Sequence, residues 1–137
     1  MAVISDIELI RKAKRTAKLH KSPDVTIGQI GCALVSCKNN IYIGTSINAH
    51  SSIGFCAEHS AIASMASNGE YQIKKIVAVS DGGHVIPPCG RCRELMYQIN
   101  RKNSNTDVIL DDGKTVKLKE LLPLPWQSHY PWQKKKY

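Results

Sequence analysis

Two short segments, Cys56-Ala57-Glu58 and Pro88-Cys89-Gly90-Arg91-Cys92, limit the fold of this 137-residue chain more than any other feature. Each sets its first cysteine at the predicted start of a helix, where unpaired N–H groups and a partial positive charge stabilise thiolate. If the two helix ends meet, three thiolates converge and can hold Zn²⁺ with its fourth tetrahedral position open. An open position is what a catalytic zinc needs, because water bound there loses its proton near neutrality. Glu58 lies two residues beyond Cys56, near such a metal yet free to move protons. The chain has five cysteines; Cys32 and Cys37 fall in a strand run and read as small core or strand residues. An odd cysteine count, and an N-terminus without a basic leader that meets acid by Asp6, lead us to expect a cytoplasmic protein rather than a secreted one.

Around these segments helical and strand patterns alternate. Ser5-Asp6-Ile7-Glu8 reads as a capping box opening a helix that runs to about His20. Strands are predicted at 28–37 and 41–47, joined by Lys38-Asn39-Asn40. A helix over 56–67 stops at Asn68-Gly69. A buried strand over 73–80 and a loop to Pro87-Pro88 follow, and then a second helix from Cys89-Gly90 with Cys92, Leu95, Met96 and Ile99 inward. Strands at 106–110 and 114–118 flank Asp111-Asp112-Gly113, a link so short that the pair must be an antiparallel hairpin. Glu120-Leu121-Leu122 reads as a helical turn. The expected fold is α/β: a three-layer α/β/α sandwich around one mixed sheet of about five strands, ending in the hairpin. The length suits a single domain over 1–137, with 123–137 as an aromatic and basic tail. The longest apolar runs fall far short of the ~20 residues that span a bilayer, so no membrane segment is expected.

Lys and Arg number 19 against 11 Asp and Glu, a formal charge of +8. That balance permits contact with anions but specifies none. Arg11, Lys12, Lys14, Arg15 and Lys18 on the first helix read as a solvated face rather than a nucleic-acid groove. Trp132 and Lys134-Lys135-Lys136 read as surface features, and His20, His84 and His129 as solvated; His50 is a candidate for the pocket mouth.

The Cys-Ala-Glu and Pro-Cys-x-x-Cys pair resembles the cytidine deaminase superfamily. The resemblance runs from Gly28-Gln29-Ile30-Gly31-Cys32-Ala33-Leu34 to Glu120-Leu121-Leu122-Pro123. With Pro-Cys-Gly-Arg-Cys-Arg and Glu-Leu-Leu-Pro it looks most like the blasticidin S deaminase and nucleoside cytidine deaminase branch. It implies one Zn²⁺ per chain on Cys56, Cys89 and Cys92. It implies also that Glu58 takes a proton from the metal's water, hands it to N3 of cytosine and helps protonate the departing amine. The products would be ammonia and the uracil compound, and the backbone N–H of Ala57 would meet the pyrimidine carbonyl. Zinc with three thiolates carries net −1, and −2 with hydroxide, so nearby positive charge is needed to keep it a Lewis acid. Arg91 is the favoured second-shell partner, a surface salt bridge being the alternative.

Relatives that act on polynucleotides place a helix between their last two strands, which three turn residues cannot do. A small cytosine nucleoside or analogue (cytidine, deoxycytidine or blasticidin S) is therefore expected, and not nucleic acid. Where ordinary cytidine deaminases carry Asn and Glu for the ribose, this chain aligns Ser46 and Asn48; where they carry a base-stacking Phe, it offers Gly28. Trp126 would close a pocket, of a neighbouring subunit in the family's usual homotetramer with shared active sites, or pack on its own core. Two other readings stay open. Cys56, His59, Cys89 and Cys92 would make a closed, structural Cys₃His zinc module without catalysis. The charge would suit an RNA- or DNA-directed deaminase.

Overall fold

A 12-residue strand, β2 (Val25–Ser36), organises the sheet. Its C-terminal half, Gly31 to Ser36, is buried on both faces, which is why it reads as a continuous apolar run rather than an alternation. The computed structural model describes residues 3–129; Tyr130, Trp132 and the lysine run lie outside them. One edge of β2 pairs antiparallel with β3 (Ile41–Ala49), and the other with β4 (Ile73–Ser80). β4 pairs in parallel with β6 (Asp107–Ile109), and β6 closes an antiparallel hairpin with β7 (Thr115–Lys117) across the turn Asp111–Gly113. Asp107 and Lys117 face each other in that hairpin and form an ion pair at 2.6 Å.

Helices cover both faces. α1 (Asp6–Thr16) packs Leu9 and Ala13 on Ala33, Val35, Val77, Val79 and Ile109. On the opposite face α2 (Ala57–Ser67) and α3 (Gly90–Ile99) bring Ala61, Ile62, Met65 and Met96 against Cys32, Leu34, Ile76 and Val108. The three-layer α/β/α sandwich with a mixed sheet and a terminal hairpin is thus the observed architecture. No helix among the described residues is long and apolar enough to cross a membrane.

Local details differ from the sequence reading where tertiary partners decide. α1 ends at Thr16, not near His20, because the Thr16 carbonyl accepts from Thr45 Oγ1 at 2.9 Å. His20–Lys21 instead form a two-residue strand, β1, on β2, and Val85–Ile86, read as loop, form β5 on β4. The capping box is half made: the Glu8 N–H donates to Ser5 Oγ at 3.2 Å. Cys32 is fully buried as expected, but Cys37 is exposed in the turn beyond β2. The helical turn near 120 is α4 (Leu118–Leu121).

Candidate active site

Gly44 lets α2 lie directly on β3. A Cβ at this position would stand 2.4 Å from the Ala61 nitrogen and 2.5 Å from the Ala57 oxygen, so any side chain would lift the first turns of the helix. Phe55, just before that helix, is held to β3 by reciprocal backbone bonds with Ile47 at 3.0 and 2.8 Å. Cys56 follows as the N-cap of α2, in extended geometry, and Ala57 opens the helix with its N–H among those no helical carbonyl reaches. Cys89 is likewise the N-cap of α3, after the buried Pro88. Arg93 braces this entry: Nε donates to the Pro88 carbonyl at 2.8 Å and Nη1 to the Leu121 carbonyl at 3.3 Å. At the far end of α3, buried Asn103 donates to the Met96 and Tyr71 carbonyls and accepts from the Ile73 N–H, tying helix to sheet.

The two N-caps therefore meet. The sulfurs of Cys56, Cys89 and Cys92 all lie within 4.8 Å of one another. A tetrahedral zinc with bonds of about 2.3 Å holds its sulfurs about 3.8 Å apart. The observed separations are 3.7 Å for Cys56–Cys89 and 3.4 Å for Cys89–Cys92, so the donor set and spacing fit a single zinc per chain. His59 does not complete a closed site. Its Nδ1 touches Cys92 Sγ at 3.4 Å, but the ring stands outside the cluster of mutually close donor atoms.

Glu58 is 4% exposed beside Cys92. Burial raises its carboxyl above the usual range, outweighing the lowering by the Cys92 thiol and a backbone N–H. Burial, and then the Glu58 charge, push the Cys92 thiol up. For Cys89 burial also acts upward, but the N–H groups of Cys92 and Arg91 and the neighbouring thiols win, and its thiol is lowered. A metal taken up here would release thiol protons. Burial, then the Arg91 charge, lower the His59 imidazole.

Cys56, Cys89 and Glu58 border a cavity of about 350 Å³, the size of a small-ligand site, with Cys92 buried behind them. Ser46, Asn48, Ala57 and Arg91 line it too, so most of the residues singled out in the sequence converge there. Opposite Ser46 the sheet bulges. Ile27 pairs with Ile47 and Gly31 with Thr45, leaving Gly28, Gln29 and Ile30 across from Ser46 alone. Ser46 Oγ accepts the Ile30 N–H at 3.0 Å, and Asn48 Nδ2 donates to Gln29 Oε1.

Three expected residues lie elsewhere. Gly28 is turned away from the cavity with φ at +82°, and a Cβ on it would stand 1.9 Å from the Lys18 carbonyl oxygen; the backbone crossing there explains the glycine. Trp126 lines a separate cavity with Tyr97, Gln98, Arg101 and Gln127, docked by the Gln127–Glu94 bond at 2.7 Å; within one chain it does not close the sulfur-lined cavity. His50 faces Asp24 at 3.7 Å, outside the cavity. Sequence reasoning missed Phe55 and Ile30, which also line the cavity. Phe55 is the chain's single phenylalanine, one residue before the first cysteine, and that position was the available signal.

The family model for the cytidine and deoxycytidylate deaminase zinc-binding region matches residues 4–106. A cytidine deaminase from Halalkalibacterium halodurans is 30% identical over 98 residues, covering 69% of this chain and 74% of the relative. A blasticidin-S deaminase from Bacillus cereus is 33% identical over 133 residues, covering 88% and 91%. In fold, the chain is similar to the crystal structure of cytidine deaminase from Mycobacterium leprae, with a TM-score of 0.75 at 21% identity over 88% of this chain and 99% of that one.

Proposed function

We propose that this chain, which belongs to the cytidine and deoxycytidylate deaminase family, hydrolyses the exocyclic amine from a cytosine nucleoside or nucleoside analogue, giving the uracil product and ammonia. The observation that carries the reading is the convergence of three sulfurs at the wall of one small cavity that a buried carboxyl also lines. Cys56, Cys89 and Cys92 would hold zinc, which when bound would supply an ionised water near neutrality.

The protein's own groups do the rest. Glu58, its pKa raised by burial, is suited to take a proton and give it back, first at the base nitrogen and then at the departing amine. The free N–H of Ala57 offers a fixed donor to the pyrimidine carbonyl. Phe55 and Ile30 supply an apolar wall, and Ser46 and Asn48 supply polar groups for the sugar or its replacement. Among the described residues the walls carry no carboxylate besides Glu58, so no second acid is placed to grip a ribose. Arg91 lies exposed at the edge of the cavity, near enough to His59 to lower it, and adds positive charge to the site.

In this reading residues 1–137 form a single deaminase domain, working in the cytoplasm within pyrimidine metabolism or on an analogue. A homotetramer with shared active sites is part of the reading. Exposed Ile43, Ile53 and Phe55 support it, and so does the placement of Trp126 away from its own chain's cavity. The test is ultraviolet absorbance of zinc-loaded protein with cytidine, deoxycytidine and blasticidin S side by side, Glu58→Gln being the control. Loss of the cytosine band with at least one of them is expected; no turnover of any, with zinc bound, would sink the reading.

A further inference from the structure

We propose that His59 is a positioning residue for the metal centre, donating a hydrogen bond from Nδ1–H to the Cys92 sulfur. The inference rests on the three cysteines being the zinc ligands. Nδ1 lies 3.4 Å from Cys92 Sγ, while the ring stands outside the group of atoms close enough to share one ion. A metal-bound thiolate has no proton, so its sulfur can only accept. A ring nitrogen at that distance without a hydrogen would set lone pair against lone pair. The proton therefore belongs on Nδ1 once the metal is in place.

The surroundings give this bond a task. Cys92 is fully buried, and its sulfur faces Cys89 Sγ at 3.4 Å and the Glu58 carboxyl. It is the most enclosed of the three thiolates and lies beside the one acid in the cavity. A donor on this sulfur draws charge off a centre whose three thiolates outweigh the zinc. The backbone N–H of Arg91 serves Cys89, but its side chain is exposed and makes no hydrogen bond to a sulfur among the described residues, so His59 is the side chain in place on Cys92. The ring also borders a second, apolar cavity of about 460 Å³ between α2 and α3, with Ile62, Leu95 and Ile99.

Cobalt-loaded protein gives a direct readout, the sulfur-to-metal charge-transfer band. His59→Leu removes the donor at similar volume, and His59→Asn keeps an N–H near the position of Nδ1. The Leu variant is expected to move the band to lower energy and to lose metal to a competing chelator about 10- to 100-fold more readily. The Asn variant is expected to stay near wild type in both. Imidazole ¹⁵N spectra of the zinc-loaded wild type, which need no variant, are expected to show the proton on Nδ1. A bare Nδ1, or a Leu variant with unchanged band and metal retention, would overturn the inference. A wild-type protein that takes up neither cobalt nor zinc would overturn the ligand assignment itself, and this inference with it.

Discussion

Glu58 lies buried beside Cys92, and the roles of acid and thiolates separate on substitution. Glu58→Gln keeps shape and hydrogen bonding but cannot cycle a proton. It should retain zinc by atomic absorption while turnover falls by about 10²–10⁴-fold or more. Cys89→Ser should lose zinc and with it the packing of the two helix starts; a metal-replete, active variant would remove Cys89 from the ligand set. These residues were legible in the sequence because their chemistry is local: thiolates at helix starts and an acid two positions on. His59 was legible only as a possible fourth ligand. Its role depends on which atom it faces across two helices, and spacing does not carry that. Gly28 misled for a related reason. Alignment put it at a base-stacking position, but its backbone lies against Lys18, where no side chain fits.

At the scale of elements, the site depends on how closely α2 seats on β3. Gly44→Val would drive methyl groups into the backbone of α2 and should cost about 1–3 kcal/mol or more. Metal retention should fall along with the urea midpoint, because Cys56 and Glu58 ride on that helix. A second device ties the β2–β3 turn to the end of α2. The Glu70 carboxylate accepts from Ser36 Oγ at 2.6 Å, from Asn40 Nδ2 at 2.9 Å and from the Tyr42 hydroxyl. Ser36 first, then Tyr42, hold the Glu70 carboxyl below its usual range, and the bond to Glu70 raises the Tyr42 phenol. The folded value for Glu70 is the lower one. Its contribution is therefore complete above the ordinary value of about 4.3 and fades as pH falls through the folded one. Tyr42 runs the other way, complete below about 10 and lost as pH rises. Urea unfolding of Glu70→Gln against wild type should show a stability gap that is flat between about pH 5 and pH 9 and closes in acid. Long elements such as β4 and α2 could be placed from periodicity and end signals. β1 and β5 could not, since two residues carry no pattern and pair only because β2 and β4 have edge room.

For the whole molecule, a zinc on the three sulfurs would join α2 to α3 and so couple metal to folding. At a hundredfold excess over its dissociation constant, such an ion adds about 2.7 kcal/mol. Chelation should lower the melting temperature accordingly, and Cys89→Ser should be insensitive to it. Layering and the hairpin were readable because apolar patterning and a three-residue link leave few alternatives. Assembly was not, because one chain's pattern does not say what meets Ile53, which is 73% exposed. Sedimentation of the full chain tests the tetramer directly, a monomer at working concentration being the result against it. The bulge opposite Ser46 bears on how such a protein can change over time. That hydroxyl has one lone pair committed to the Ile30 N–H, so altering it to suit a new ligand also disturbs the seam of the sheet. Asn48 stands exposed two positions along and holds only a side-chain partner, Gln29. With Ser46 and Asn48 as the proposed sugar contacts, selectivity would drift readily at position 48 and only at a structural penalty at 46, and a lineage exploring new cytosine compounds should show its variation at 48 first.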